Sequence, residues 1–199
     1  MKTRRPPHLI FVCIRNRVRS PFSEFLFARM LAERGAGLMN EVRVSSAGFI
    51  PQKFRDRLAG AHVSFPDPFY NRPMAETTRA SLLQRGIVVS AEWRSKELGP
   101  EMVKDADLMI TALPEQKEEL INLFPAARSK IFTTREVSKR DGYLVFEDST
   151  GVPLNDSYWD YVEENPHFVS KVLSEMEVAL VRAFPDILKQ LGVRQWATE

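Results

Sequence analysis

The chain has 199 residues, 44% of them hydrophobic, enough to bury one sizeable core in a single domain spanning 1–199 with room for an insertion. Its 28 basic and 26 acidic residues leave a formal charge of +2, which gives no global field for nucleic acid or a membrane surface, so any anion site is local. One cysteine excludes an intrachain disulfide and suits a reducing compartment; the basic start Met1 to Arg5 precedes an apolar run, Leu9 to Ile14, too short for a signal-peptide core or a membrane span, so a cytoplasmic location is expected.

His8 to Cys13 is a short, continuous apolar stretch that predicts a strand buried on both faces. A polar bend, Ile14 to Arg19, leads to Ser20-Pro21, read as a cap and first-turn proline for a helix through Phe25, Phe27, Met30 and Leu31 to about Gly35. Val42 to Ser46 predicts a second strand, closed by Ala47-Gly48. From 49 to 73 no period is legible among the prolines, glycines, aromatics and charges, and the segment is taken as an insertion. Helices are expected from Ala75 to about Arg85 and near Pro100 to Ala106, a third strand over Asp107 to Ala112, a helix over Pro114 to Phe124 and a fourth strand over Lys130 to Thr133. Asn165-Pro166 opens a closing helix whose Val169, Val172, Leu173, Met176 and Leu180 share one face. The alternation predicts a three-layer, Rossmann-like α/β fold: a central four-stranded parallel sheet with helices on both faces and ligands at the carboxyl ends of the strands.

Cys13 sits at such an end. In Cys13-Ile14-Arg15-Asn16-Arg17-Val18-Arg19 a cysteine and an arginine stand six apart on a loop that opens a helix. That spacing lets the backbone curl around an anion, with successive N–H groups and the helix N-terminus aimed at phosphate oxygens. Arg19 would clamp two oxygens as a fork, the same field favours a nucleophilic thiolate at Cys13, and Ser20 could give it a hydroxyl hydrogen bond. Asn16 suits the left-handed backbone that a tight anion loop requires.

Phe11-Val12-Cys13, Asn16, Arg19-Ser20-Pro21 and Glu24 resemble the phosphate-binding loop and first helix of the low-molecular-weight protein tyrosine phosphatases. Further likeness lies in Ser45-Ser46-Ala47-Gly48, in Gly86-Ile87 with Ser90 and Arg94, and in Asp107 to Thr111. The resemblance implies phosphomonoester hydrolysis through a phosphocysteine on Cys13, with Ile14 to Val18 and Ser20 lining the phosphate and Ser45 and Ser46 supporting the loop. It also implies a general acid near the C-terminus: Asp156 in Asp156-Ser157-Tyr158-Trp159, with Tyr158 and Trp159 as walls for an aromatic substrate and Asp148 as the alternative acid.

The chain departs from the family pattern at three loop positions, one of them Val18, which replaces a cysteine found in many relatives, so their protective disulfide is not expected here. Arg15 stands where the family has glycine, so the loop is expected to tilt differently or to carry the side chain outward into solvent. Arg17 stands where a small or apolar residue helps choose the substrate, so the alternate Arg15, Arg17 and Arg19 are expected to favour a more highly charged ligand. Expected partners are a phosphorylated protein or small phosphomonoester and inorganic phosphate, with no nucleic acid or membrane. His8, His62 and His167 lack ligand spacing, so neither metal nor cofactor is expected. A phosphate-binding module of low turnover and a protein arginine phosphatase remain alternatives; arsenate reduction by a thiol relay would need further cysteines. Phe65, Phe69 and Tyr70, with Lys53, Arg55 and Arg57, are candidates for a lid over the loop.

Overall fold

A computed structural model of the chain describes residues 5–34, 38–139, 154–155 and 157–193. In chain order its elements are strand β1 (His8–Cys13), helix α1 (Arg19–Glu33), β2 (Arg43–Gly48), α2 (Gln52–Gly60), α3 (Glu76–Gln84), α4 (Pro100–Asp105), β3 (Leu108–Thr111), α5 (Pro114–Leu123), β4 (Ile131–Thr133), α6 (Thr134–Ser138), α7 (Tyr158–Glu164) and α8 (Pro166–Gln190). The strands form one parallel sheet in the order β2-β1-β3-β4. Strand β1 therefore lies inside the sheet, with Phe11 opposite both Ser46 and Ile110.

Period-two alternation divides β1 between two cores. Leu9 and Phe11 pack with Phe22 and Phe27 of α1, Leu82 of α3 and Leu180 and Phe184 of α8. Ile10 and Val12 pack on the opposite face with Val103 of α4, Met109 of β3 and Leu120 of α5. A continuous apolar strand is what two covered faces demand, and the predicted boundaries of β1 coincide with the observed ones. Asn165 caps α8 as its sequence predicts, its Oδ1 accepting from the Phe168 N–H at 3.0 Å.

Three helices differ from expectation. Within 49–73 the chain forms α2, whose apolar stripe is reduced to Phe54 and Leu58, four residues apart among charges. Helix α6 opens with a reciprocal capping box between Thr133 and Glu136, a signal present in the sequence as Thr-x-x-Glu. Helix α7 begins at Tyr158, directly after Ser157. Helices α2 and α7 meet in a third cluster, in which Phe54 and Leu58 of α2, Ile50 and Val63 join Tyr158 and Trp159 of α7, Leu113 and Ile14 of the first loop. The insertion and the C-terminal segment are thereby brought to the carboxyl end of β1. Among the described residues no helix is long and apolar enough to cross a membrane.

Candidate active site

The loop between β1 and α1 is held from below by one side chain. Asn16 is fully buried with φ 54°, a left-handed conformation that asparagine tolerates better than most residues. Its Nδ2 donates to Ser20 Oγ at 2.9 Å and to Ser46 Oγ at 2.7 Å, while its Oδ1 accepts from the Lys96 N–H at 3.0 Å. Ser46 in turn donates to Glu24 at 2.5 Å. Burial pushes the Glu24 carboxyl above its ordinary value, opposed by the Ser46 hydrogen bond and by Lys96. Two segments distant in sequence, at Ser46 and Lys96, are thus tied to the loop through a single amide.

Ser20 completes the chain of hydrogen bonds toward the thiol. Its Oγ stands 3.0 Å from Cys13 Sγ and 3.2 Å from the Ala47 carbonyl oxygen. One hydroxyl carries one proton, and an ionised sulfur is the stronger acceptor, so the bond to Cys13 strengthens as the thiol ionises. Helix α1 starts two residues earlier than predicted, at Arg19 with Val18 as its N-cap, so Ser20 lies inside the helix. Of the two roles expected of this hydroxyl, capping the helix and bonding the sulfur, it takes the second.

Ser45 and Ser46 part company because neighbours on a strand face opposite ways. Ser46 meets Asn16, whereas Ser45 Oγ lies 2.7 Å from His8 Nε2, beside the Asp105 and Arg43 side chains. Burial, with the Arg43 guanidinium, holds the His8 imidazole below its ordinary value. Ser45 therefore makes its contact away from the loop, and only Ser46 is placed to support it.

Arg15 is the largest departure from expectation. It is 4% exposed, its guanidinium carbon 5.2 Å from the Phe69 ring centroid and 5.0 Å from that of Trp159. Its Nη1 donates to Glu163 at 2.8 Å, and Nε is buried without a hydrogen-bond partner. The side chain turns inward because two aromatic faces and a buried carboxylate receive it, and solvent offers no comparable packing. Arg17 Nη1 binds the same Glu163 oxygen, while its Nε donates to the Pro73 carbonyl at 2.9 Å and its Nη2 to Glu164 at 3.4 Å. Burial pushes the Glu163 carboxyl up and pulls the Arg15 guanidinium down, each opposed by the other's charge. Two loop arginines expected to attract extra ligand charge are already paired.

Tyr158 and Trp159, expected as walls of an open site, are 3% and 8% exposed. Their rings pack against each other, Tyr158 against Phe54, and Trp159 against Phe65 and Phe69; the indole N–H donates to the Ser64 carbonyl at 2.9 Å. Phe54, Phe65 and Phe69 pack on the faces of these rings that a substrate ring was expected to meet. Asp156 and Asp148 lie outside the described residues.

Tyr70 joins the site without having been assigned a role of its own at the loop. Its hydroxyl donates to the Ile14 carbonyl at 3.1 Å, and its ring lies over Gly48, where an added Cβ would collide with the ring and with the Ile14 oxygen. Burial, with Glu97 and Cys13 nearby, pushes the phenol above its ordinary value, so it stays a donor. In a loop whose N–H groups turn inward to an anion, carbonyls turn outward and need such donors. Tyr70→Phe should therefore raise the phosphate concentration that half-protects Cys13 from iodoacetamide by about two- to tenfold, the net worth of one hydrogen bond. Alkylation without phosphate should persist. An unchanged protection constant would remove Tyr70 from the loop's support.

A family model described as low molecular weight phosphotyrosine protein phosphatase matches residues 8–148. No match was found among curated protein sequences. Among solved structures, a mutant of YwlE from Bacillus subtilis is 26% identical, with 92% of this chain and 99% of that one aligned at a TM-score of 0.62. The YwlE arginine phosphatase from Geobacillus stearothermophilus is 23% identical over 96% of this chain and 100% of its own, TM-score 0.62. A protein tyrosine phosphatase from Entamoeba histolytica is 18% identical over 92% and 97%, TM-score 0.65.

Proposed function

Because the chain belongs to the low molecular weight phosphotyrosine protein phosphatase family, we propose that it hydrolyses phosphomonoesters through a phosphocysteine on Cys13, with phosphotyrosine in proteins as the preferred substrate. The observation that carries the reading is the hydroxyl of Ser20 at 3.0 Å from the Cys13 sulfur, on a loop fixed by buried Asn16 at the start of α1. In the first step Sγ attacks phosphorus, the bond to the leaving oxygen breaks, and a proton passes to that oxygen. In the second step water gives up a proton and attacks phosphorus, the S–P bond breaks, and phosphate leaves with the thiolate restored. Arg19 is assigned the fork on the equatorial oxygens, and the loop from Ile14 to Val18 contributes backbone N–H groups. Asp156, with Asp148 as reserve, is assigned the proton transfers. The reading places the enzyme in the cytoplasm, where a lone thiolate is kept reduced, with phosphorylated proteins or small phosphomonoesters and inorganic phosphate as its ligands.

A second reading, hydrolysis of phosphoarginine, gains from one contact. Arg17 would repel a cationic guanidinium, but Glu163 and Glu164 offset its charge. A solved YwlE arginine phosphatase, 26% identical to this chain, is a variant with a phosphorylated active-site serine in place of cysteine. Initial rates on phosphotyrosine peptide, phosphoarginine peptide and sugar phosphates, each beside Cys13→Ser as the blank, separate the readings. The highest kcat/KM is expected on phosphotyrosine. A tenfold preference for phosphoarginine would establish the second reading, and no turnover in a protein whose thiol is still protected by phosphate would leave a binding module.

A further inference from the structure

Arg15 and Arg17 flank Asn16 and share one oxygen of Glu163, a residue of α7 that lies 146 to 148 positions further along the chain. The Glu163 side chain is 6% exposed, that of Arg15 4% and that of Arg17 12%. Glu164 adds a second carboxylate to Arg17 from the outer side. The Thr77 hydroxyl donates to the Glu163 carbonyl at 2.6 Å, which ties the end of α7 to α3 and fixes where the carboxylate projects. These four side chains bring two positive and two negative charges, so the carboxylates offset both loop guanidiniums and leave Arg72 as the further charge acting on Arg15.

We propose that Glu163 is a specificity-determining positioning residue: by holding Arg15 and Arg17 together it withdraws two of the loop's three guanidiniums and restricts the site to ligands with a single phosphoryl group. The inference rests on the reading of this loop as the phosphate site. A second phosphoryl group beside the first would have to displace a preorganised, desolvated carboxylate from its two arginines, and would meet the charge of Glu164 as it did so. A monoester needs neither arginine, since the backbone N–H groups and Arg19 supply its contacts. Discrimination comes from the pairing already made inside the protein, so removing the carboxylate should change which anions are held more than how fast a monoester reacts.

The test measures protection of Cys13 against iodoacetamide by phosphate and by pyrophosphate in parent, Glu163→Gln, Arg17→Gln and the double variant. Glu163→Gln should tighten pyrophosphate at least tenfold while moving phosphate less than threefold. Arg17→Gln added to Glu163→Gln should cancel most of the gain, the non-additivity expected of an interacting pair. In turnover, Glu163→Gln should lower KM for a doubly phosphorylated peptide and leave kcat for a singly phosphorylated one within threefold. Glu163→Asp should restore parental selectivity in part. Equal movement of both anions, no movement, or a gain that survives loss of Arg17 would overturn the proposal. Should Glu163→Gln fail to fold, Glu164→Gln, whose side chain is 39% exposed, serves in its place. It should raise the pyrophosphate preference at least twofold, and an unchanged preference there would also overturn the idea. Protection is read without catalysis, so a protein that hydrolyses nothing would sink the phosphatase reading and leave this comparison decisive on its own terms.

Discussion

Cys13→Ser should reduce turnover of phosphotyrosine by about 10⁴-fold or more, the scale on which loss of a covalent nucleophile is felt. A serine hydroxyl in the same place lacks the polarisable sulfur, and the described residues place no histidine or carboxylate against Cys13 to activate it. Binding should survive. The loop N–H groups, Arg19 and the Asn16 network are untouched, so the variant should hold a phosphotyrosine peptide with a Kd near the parental KM and can be read by calorimetry. Turnover within tenfold of the parent would place the nucleophile elsewhere, and since the chain has no second cysteine the phosphocysteine chemistry would fall with it.

Asn16→Ala should be the most damaging change that leaves every reacting group in place. Alanine gives up the easy left-handed conformation, a loss of about 1 kcal/mol. It also removes the partner of the Lys96 N–H and the donor to Ser20 and Ser46, groups that are buried or nearly so, at about 1–3 kcal/mol for each left unpaired. A total of about 3 kcal/mol or more corresponds to a fall in Tm of roughly 10 °C for a chain of this size. Phosphate protection of Cys13 should weaken in parallel, because the loop no longer has its floor. A variant that melts within 2 °C of the parent and binds phosphate normally would show that the network is redundant.

How far the sequence revealed this site depended on how local each determinant is. Strand β1 and the capped helix α8 declare themselves through short-range pattern, a continuous apolar run in one and Asn-Pro before an apolar stripe in the other. Ser20 was legible because its partner Cys13 lies seven residues away, and Asn16 because tolerance of a left-handed backbone is a property of the residue itself. Ser45 and Ser46 could not be told apart until the register of β2 on β1 fixed which of them faces Asn16. Arg15 was misjudged because everything that buries it is remote: Phe69 from the insertion, and Trp159 and Glu163 from α7. Nothing near Glu163 in the sequence distinguishes it from Glu164 beside it, yet one is buried between arginines and the other is more than a third exposed. Tyr70 was seen only as part of a possible lid, and its hydroxyl finds its acceptor 56 residues away.

The bond from Arg17 to Glu163 closes a loop of 146 residues, and this bears on the order in which the molecule assembles. Strand β1 first meets β2, with His8 opposite Arg43, and gains its other neighbour only when Leu108 arrives opposite Leu9. Closure entropy grows slowly with length, so the late contact costs little more than the earlier ones, but it cannot form until nearly all the chain is available. During vectorial synthesis the nucleophile, its serine and its asparagine emerge early, while the carboxylate that pairs Arg15 and Arg17 emerges late. For that interval the nascent chain carries a loop with unpaired guanidiniums and an uncovered thiol, so anion binding precedes anion selectivity in the life of each molecule.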